Sequence, residues 1–333
     1  VEADLAPSRL NLAVLGWTKG PGVPAKASFD LWDDDRGLHL DNVVLESEGL
    51  TIRGNLLLDK DRNLVAADFP KFALRKGDDA KIKVTRGADK ALTIAFEGGK
   101  FDVRGLLRFN RRPNSAGGDT TTPDLVLKLR AGALLGFNDT TLSDVSIDGR
   151  WHAGAFQALE LKARTQARRP LSVSIRPEAG RRRLTVASED AGAALSFLDL
   201  FDRIQGGTLT VSARLDGPGT SIGTLRLLAF HLLEEPKAGR ITASKEGADG
   251  IRQVPIRRAE IDRSTNFDRA SVHFAMHDGI IDVTEGVAKG ASVGATATGQ
   301  IDVAAQRLSL SGTYIPAYGL NNLAGRIPIL GAI

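Results

Sequence analysis

Apolar and polar residues alternate along most of this chain. In "LTIRGNLLLD", Leu50, Ile52, Leu56 and Leu58 fall on one side with Gly54 between them, while Thr51, Arg53 and Asn55 fall on the other. A period of two marks a β-strand with one dry face, because successive Cβ atoms point to opposite sides of a sheet. The same period recurs in "ALTIAFEGG" (Leu92, Ile94, Phe96), "KFDVRGLLRF" (Phe101, Val103, Leu107, Phe109), "DLVLKLRA" (Leu125, Leu127, Leu129) and "LSVSIRP" (Leu171, Val173, Ile175). It continues in "TLTVSARLDG" (Leu209, Val211, Leu215), "SVHFAM" (Val272, Phe274, Met276) and "RLSLSG" (Leu308, Leu310). Turn signals separate the runs, among them Gly98-Gly99, Asp148-Gly149, Asp216-Gly217 and Asp278-Gly279. The pattern predicts an all-β chain, a long antiparallel meander of roughly twenty strands.

One segment departs from this period. In "SEDAGAALSFLDLFDRIQGG", Ala194, Leu195, Phe197, Leu198, Phe201 and Ile204 recur at three and four, with Ser188 as N-cap, Glu189 and Asp190 in the first turn and Gly206 at the C-terminus. This predicts an amphipathic helix within 188–205. A second, short helix is expected around Leu134 and Leu135, cut off by Gly136. The aperiodic "NRRPNSAGGDTTTP" divides the chain into an upstream β module (residues 1–110), a linker (111–123) and a second β region (124–333). The polar "KAGRITASKEGADGIRQ" after Pro236 reads as a further loop, and no exact internal repeat is present.

Composition narrows the partners. With 42% hydrophobic residues among 333, the chain has material for a sizeable buried surface. It has no Cys, so it has neither disulfides nor thiolate chemistry, which suits any compartment. A net charge of +4 is the small difference between 44 basic and 40 acidic side chains, a weak argument for nucleic acid. Aromatics make up only 5%, with no basic stripe interleaved with stacking rings, which argues further against a nucleic-acid partner. No apolar run reaches the length of a membrane span, and "VEADLAPSRL" has neither the basic nor the apolar region of an export signal. The chain opens on Val1 and closes on "GTYIPAYGLNNLAGRIPILGAI", where Arg326 is the sole charge. It reads as an excised or processed piece whose anchor or signal lies upstream.

Candidate chemistry is sparse. His273 and His277 share a strand face but stand about 13 Å apart, too far to ligate one ion. Asp33, Asp34 and Asp35 lack the spaced oxygens of a calcium loop and read as a hairpin turn. "GPGTSIG" (217–223) joins two strands and opens no helix, so it is no phosphate loop. No nucleophile elbow is present and no carboxylate pair stands out, so no catalytic residue and no cofactor is assigned. Arg168, Arg169 and the run Arg181, Arg182, Arg183 flank the "LSVSIRP" strand, as solvated hairpin ends or as contacts for lipid phosphates. The dry faces themselves are the main signal. They fit the core of a closed sandwich or barrel, or the inner wall of an open trough that acyl chains fill.

A family resemblance favours the trough. "EDAGAALSFLDLFDRIQGGTLTVSARLDGPG", "FHLLEEP", "NFDRASVHFAMHDGIIDVTEGVAKGASVGATATGQID" and "LSLSGTYIPAYGLNNLAGRIPILGAI" resemble the C-terminal region of AsmA-like proteins of the YhdP type, with the last segment the most specific. The match runs from about Asp124 to the end, and the polar segment 237–253 departs from it. The resemblance implies an elongated, curled β-groove (a β-taco) in the periplasm of a Gram-negative bacterium, anchored to the inner membrane by an upstream segment. It implies bridge-like transfer of phospholipid or another acyl lipid between inner and outer membranes, without catalysis, and envelope proteins as partners. On this reading Ile52, Leu56, Leu58, Leu92, Ile94, Phe96, Val103, Leu107, Leu125, Leu127, Val173, Leu209, Val211, Val272 and Phe274 line the lipid path. Ile315, Tyr318, Leu320, Leu323, Ile327 and Ile329 touch a membrane or the groove end. The rival expectations are a non-transporting envelope scaffold with a closed β core, and a β-helix enzyme such as a polysaccharide lyase.

Overall fold

The computed structural model describes residues 1–12, 16–110, 123–217, 220–233, 242–247, 250–255, 264–291, 293–302, 305 and 307–316. Strand β1 (Glu2–Asp4) is followed by a small hairpin, β2 (Leu10–Leu12) and β3 (Trp17–Lys19). Then come β4 (Ala25–Asp34), β5 (Gly37–Ser47), β6 (Leu50–Leu58), β7 (Leu64–Ala73), β8 (Asp79–Arg86) and β9 (Leu92–Asp102). Helix α1 (Arg104–Asn110) precedes β10 (Leu125–Leu135), β11 (Thr141–His152), β12 (Ala155–Arg164), β13 (Pro170–Glu178) and β14 (Arg181–Ser188). Helix α2 (Ala191–Phe197) leads into β15 (Ile204–Gly217) and β16 (Thr220–Leu233). A separate hairpin, β17 (Thr242–Gly247) and β18 (Gly250–Pro255), precedes β19 (Ser264–His277), β20 (Ile280–Gly290), β21 (Val293–Asp302), β22 (Arg307–Ser311) and β23 (Tyr314–Pro316).

Strand makes up 72% of the described residues, and nineteen of the strands form one open, curled sheet. From β4 to β21 each strand of the sheet pairs with the next in sequence, except that β16 pairs with β19 past the separate β17–β18 hairpin, and β1 covers part of the first edge. At the other edge β22 and β23 lie end to end along β21, so eighteen positions are filled. The meander is interrupted once, where β9 and β10 pair in parallel. A parallel pair needs a crossover of a dozen or more residues, and residues 103–124, beginning with α1, supply it. The curl has local causes. Register shifts flank Asn42 (φ 51) in β5 and Asp144 (φ 51) in β11. At these bulges the chain adopts a left-handed conformation and the strand bends.

The sheet register carries apolar residues across the strands in unbroken rows. One row pairs Leu31 with Leu40, Leu56, Ala67, Val84, Ile94 and Leu127 in turn. It continues through Gly149, Leu159, Ile175, Leu184, Ala213 and Gly223. It ends through Phe274, Val283, Gly299 and Leu310. Each sheet strand from β4 to β22 thus contributes one apolar side chain or glycine. A parallel row runs from Phe69 to Ala297 through Phe96, Ile147, Val173, Val186, Val211 and Val272. The opposite face is wet, with Asp68, Lys83, Ala95, Lys128, Asp148, Glu160, Ser174 and Thr185 forming a row of their own.

Several local expectations change. Helix α2 is shorter than 188–205: it is capped by Asp190, whose side chain accepts the N–H of Ala193 at 3.0 Å. Ser188 belongs to β14, and Ile204 and Gly206 to β15. No helix forms at Leu134 and Leu135, which extend β10. Gly98-Gly99 and Asp148-Gly149 lie inside β9 and β11 rather than at turns, because a glycine in a ladder lets a facing backbone or ring approach closely. Asp278-Gly279 is a turn, with φ of 50 and 81, as is Asp35-Arg36. The polar segment after Pro236 contains the β17–β18 hairpin, while most of the linker at 111–123 lies outside the described residues.

Candidate functional site

The concave apolar face is the candidate site, and its two rims differ. One rim is closed. There α1, α2 and the β2–β3 hairpin fold over the strand ends and gather Phe72, Leu74, Phe101, Val103, Leu134, Leu142, Phe197, Ile204 and Phe230 into one buried cluster. Helix α2 bridges the β10–β11 turn and the β14–β15 connection, which stand about 19 Å apart along a flat sheet. The N–H of Phe137 donates to the carbonyl of Phe197 at 3.1 Å, and Asn138 Nδ2 donates to Ser196 O at 3.1 Å. Gly136 leaves room for the Phe197 ring, which would lie 2.2 Å from a Cβ at that position. The hairpin is held by Lys19, only 5% exposed, whose Nζ donates to the carbonyls of Ala6, Ser8 and Gly20. Its Gly16 packs directly on the backbone of Gly105 in α1.

A carboxylate pair pins the same rim. Asp78 Oδ1 accepts the N–H of Asp102 at 2.9 Å, while Oδ2 accepts from Leu74 and Arg75. Asp102 is paired with Arg104 at 2.6 Å and Arg75 at 3.3 Å, its own side chain 6% exposed. Burial pushes the Asp78 carboxyl up, outweighing its backbone N–H partners, and the Asp102 charge adds to the rise. Burial pushes Asp102 up as well, but the Arg104 hydrogen bonds and the charges of Arg75 and Arg104 hold it below the ordinary carboxylate range.

Between the rims no described element covers the floor. Leu127, Leu159, Ile175 and Leu184 are half-exposed and belong to neither packed cluster of the molecule. A second, small cluster of Ala67, Val84 and Leu92 lies toward the opposite rim, and Phe69 and Ile82 pack against both clusters. That opposite rim carries an aromatic pair on the dry face, Trp151 and Phe156, with ring centroids 5.0 Å apart and edge to face. Two arginines point inward there: Arg86 donates to Leu64 O and Arg182 to Phe156 O, each at 2.7 Å.

The sequence-predicted residues come together on this face. Leu56, Ile94, Leu127 and Phe274 stand on the first row, and Phe96, Val173, Val211 and Val272 on the second. Leu58 lies beyond Leu56 toward the open rim, Leu92 and Leu125 form a pair there, and Ile52 and Leu209 sit nearer the closed rim. Two placements are corrected. β9 ends at Asp102, so Val103 follows the strand and Leu107 lies on α1, where it packs into the closed rim rather than along a strand. Of the tail, Ile315 lies in β23 opposite Gly294, whereas Tyr318, Leu320, Leu323, Ile327 and Ile329 fall outside the described residues. Leu40, a member of the first row, and Val43, which stands opposite Gly54, escaped the sequence reading because the bulge at Asn42 shifts their period.

Among the described residues no group of three His, Asp or Glu is placed to hold a metal ion, and no helix is long and apolar enough to cross a membrane. His273 contacts Thr224 and His277 contacts Asp282, separately. The carboxylates whose pKa is shifted, Asp34, Asp59, Asp78, Asp102, Asp216 and Asp282, lie at turns, at the rims or on the wet face, not on the floor. Comparison of the chain with family models, curated proteins and solved structures found no match.

Proposed function

We propose that this chain binds acyl lipid along its concave face and conducts it as part of a bridge between the inner and outer membranes of a Gram-negative envelope. The observation that carries this reading is the row from Leu31 to Leu310, in which no polar side chain interrupts the floor. At about 4.8 Å per strand, eighteen positions follow a track of roughly 80 Å. A methylene gains about 0.8 kcal/mol on leaving water, whether for a bilayer or for Leu, Ile and Val side chains. A continuous dry floor therefore flattens the path between membranes, and no catalytic residue is required. The half-exposure of Leu127, Leu159, Ile175 and Leu184 supports an open trough over a closed core. The resemblance to AsmA-like proteins of the YhdP type points the same way, with phospholipid as cargo and the periplasm as compartment.

Native mass spectrometry of the purified chain tests the reading. Acyl lipid in stoichiometric amount is expected. Its absence across independent preparations would leave a non-transporting envelope scaffold, for which the buried cluster at the closed rim would then be the functional core.

A further inference from the structure

Three arginines in succession open β14, and the pleat of the strand treats them differently. Arg181 and Arg183 point to the wet face, where Asp216 pairs with the first at 3.0 Å and Glu178 with the second at 2.5 Å. Arg182 shares the dry face with Leu184 and Val186, opposite Pro177 and Leu215. It is half-buried, and its hydrogen bond goes to the carbonyl of Phe156 at 2.7 Å. Among the described residues no carboxylate is placed to pair with it. Arg86, the other inward arginine of this rim, differs, because a carboxylate is near: Asp59 is held below the ordinary carboxylate range chiefly by the backbone N–H of Asn63, with the charge of Arg86 adding to it.

A guanidinium has five donors and keeps its charge at any relevant pH. One donor of Arg182 is used by the Phe156 carbonyl; when acyl chains fill the trough beside it and displace water, the cation is costly to leave without an anionic partner. We propose that Arg182 holds the phosphodiester of a lipid headgroup at the open rim, an inference that rests on reading the groove as a lipid track. Chemistry and spacing agree. Successive residues on one face of a strand stand about 6.7 Å apart. A headgroup at Arg182 therefore lays its acyl chains over Leu184 and then Val186, toward the middle of the floor. Trp151 and Phe156 flank it with the amphipathic surface that suits the level between headgroup and chain. Arg182 thus makes the track selective for phosphate-bearing lipids over neutral ones.

The test loads the delipidated chain from phosphatidylglycerol vesicles doped with diacylglycerol of the same acyl chains, and quantifies both bound lipids by mass spectrometry. Wild type should bind phosphatidylglycerol in excess of its share in the vesicle, and Arg182→Gln should reduce that enrichment about fivefold or more while diacylglycerol uptake persists. Gln retains a donor for Phe156 O, and Arg182→Met, which keeps the apolar stem, replaces it if the Gln variant melts early. Arg182→Lys should keep part of the enrichment, and Arg183→Gln all of it. Unchanged enrichment in both Arg182→Gln and Arg182→Met overturns the headgroup role while leaving the lipid track standing. Uptake of neither lipid by wild type overturns both. Excess inorganic phosphate should leave the wild-type ratio intact; its collapse would assign the site to free phosphate and overturn the lipid headgroup as occupant.

Discussion

Ile94 on β9 stands directly beside Leu127 on β10, across the one parallel junction recorded among the described strands. Through that pair the apolar row passes from the first half of the sheet to the second. The two residues nevertheless differ in surroundings. Ile94 packs against the cluster of Ala67, Val84 and Leu92, whereas Leu127 belongs to no cluster.

The open floor predicts separable effects on lipid and on folding. Leu184→Asp places a charge on the dry face, where acyl chains would have to strip its water, while in the lipid-free trough it remains hydrated. Bound lipid should fall severalfold, with a stability loss of only about 1 kcal/mol. Thr185→Asp, one residue along on the wet face between Ser174 and Ser212, should change neither. Lipid content by mass spectrometry and the melting temperature of the delipidated protein check both. Unfolding by Leu184→Asp with full lipid occupancy in the remainder would speak for a closed core.

Ile94→Asp should behave differently from Leu184→Asp despite sharing its row. The carboxylate would enter a packed cluster, so a cost of about 2–4 kcal/mol is expected in urea unfolding. Equal costs at the two positions would mean that the floor is uniformly packed or uniformly open.

The closed rim makes a pH prediction. Asp102 has a folded-state pKa below its unfolded value, so its contribution is present above the unfolded pKa, about 3.9, and is lost as pH falls through the folded one. Asp78 has the opposite sign: its raised pKa makes it take up a proton first in the folded state, which favours folding as pH falls. Arg104→Gln removes the main partner of Asp102. It should move the acid-unfolding midpoint to higher pH and cost about 1–2 kcal/mol near neutrality, a figure moderated by the solvent exposure of Arg104. Circular dichroism across an acid titration reads the shift, and an unmoved midpoint would deny Asp102 a role in acid stability.

Gly136→Ala tests the seat of α2. A Cβ there would overlap the ring of Phe197, itself 6% exposed, so the ring must leave its place. A loss of about 1–3 kcal/mol is expected. Hydrogen exchange should show earlier opening at 191–197, while the floor strands keep their protection.

Much of this architecture was legible along the chain because a period of two assigns each strand its dry face without reference to any partner. Leu125, Leu127 and Leu129, or Leu171, Val173 and Ile175, are on the concave side for that reason. The faces of Arg181, Arg182 and Arg183 follow from the same parity, although a run of like charge reads first as a solvated cluster. Other features were hidden. Leu107 continues an apolar alternation yet lies on a helix, because the crossover that a parallel β9–β10 pair demands begins there. Leu134 and Leu135 look helical in isolation and are held extended by β9 and β11 on either side.

Alternation therefore determined that there is one dry face and which residues make it. Tertiary structure decided what that face meets. A closed sandwich and an open trough require the same period along each strand. They differ only in how bulges such as those at Asn42 and Asp144 bend the sheet, and in whether a second layer covers it. Here, among the described residues, α1, α2 and one hairpin cover a single rim, and the floor from Leu127 to Leu184 stays open. The continuity of the row also depends on two pairings that no hairpin pattern encodes, β9 with β10 across the crossover and β16 with β19 past the β17–β18 hairpin.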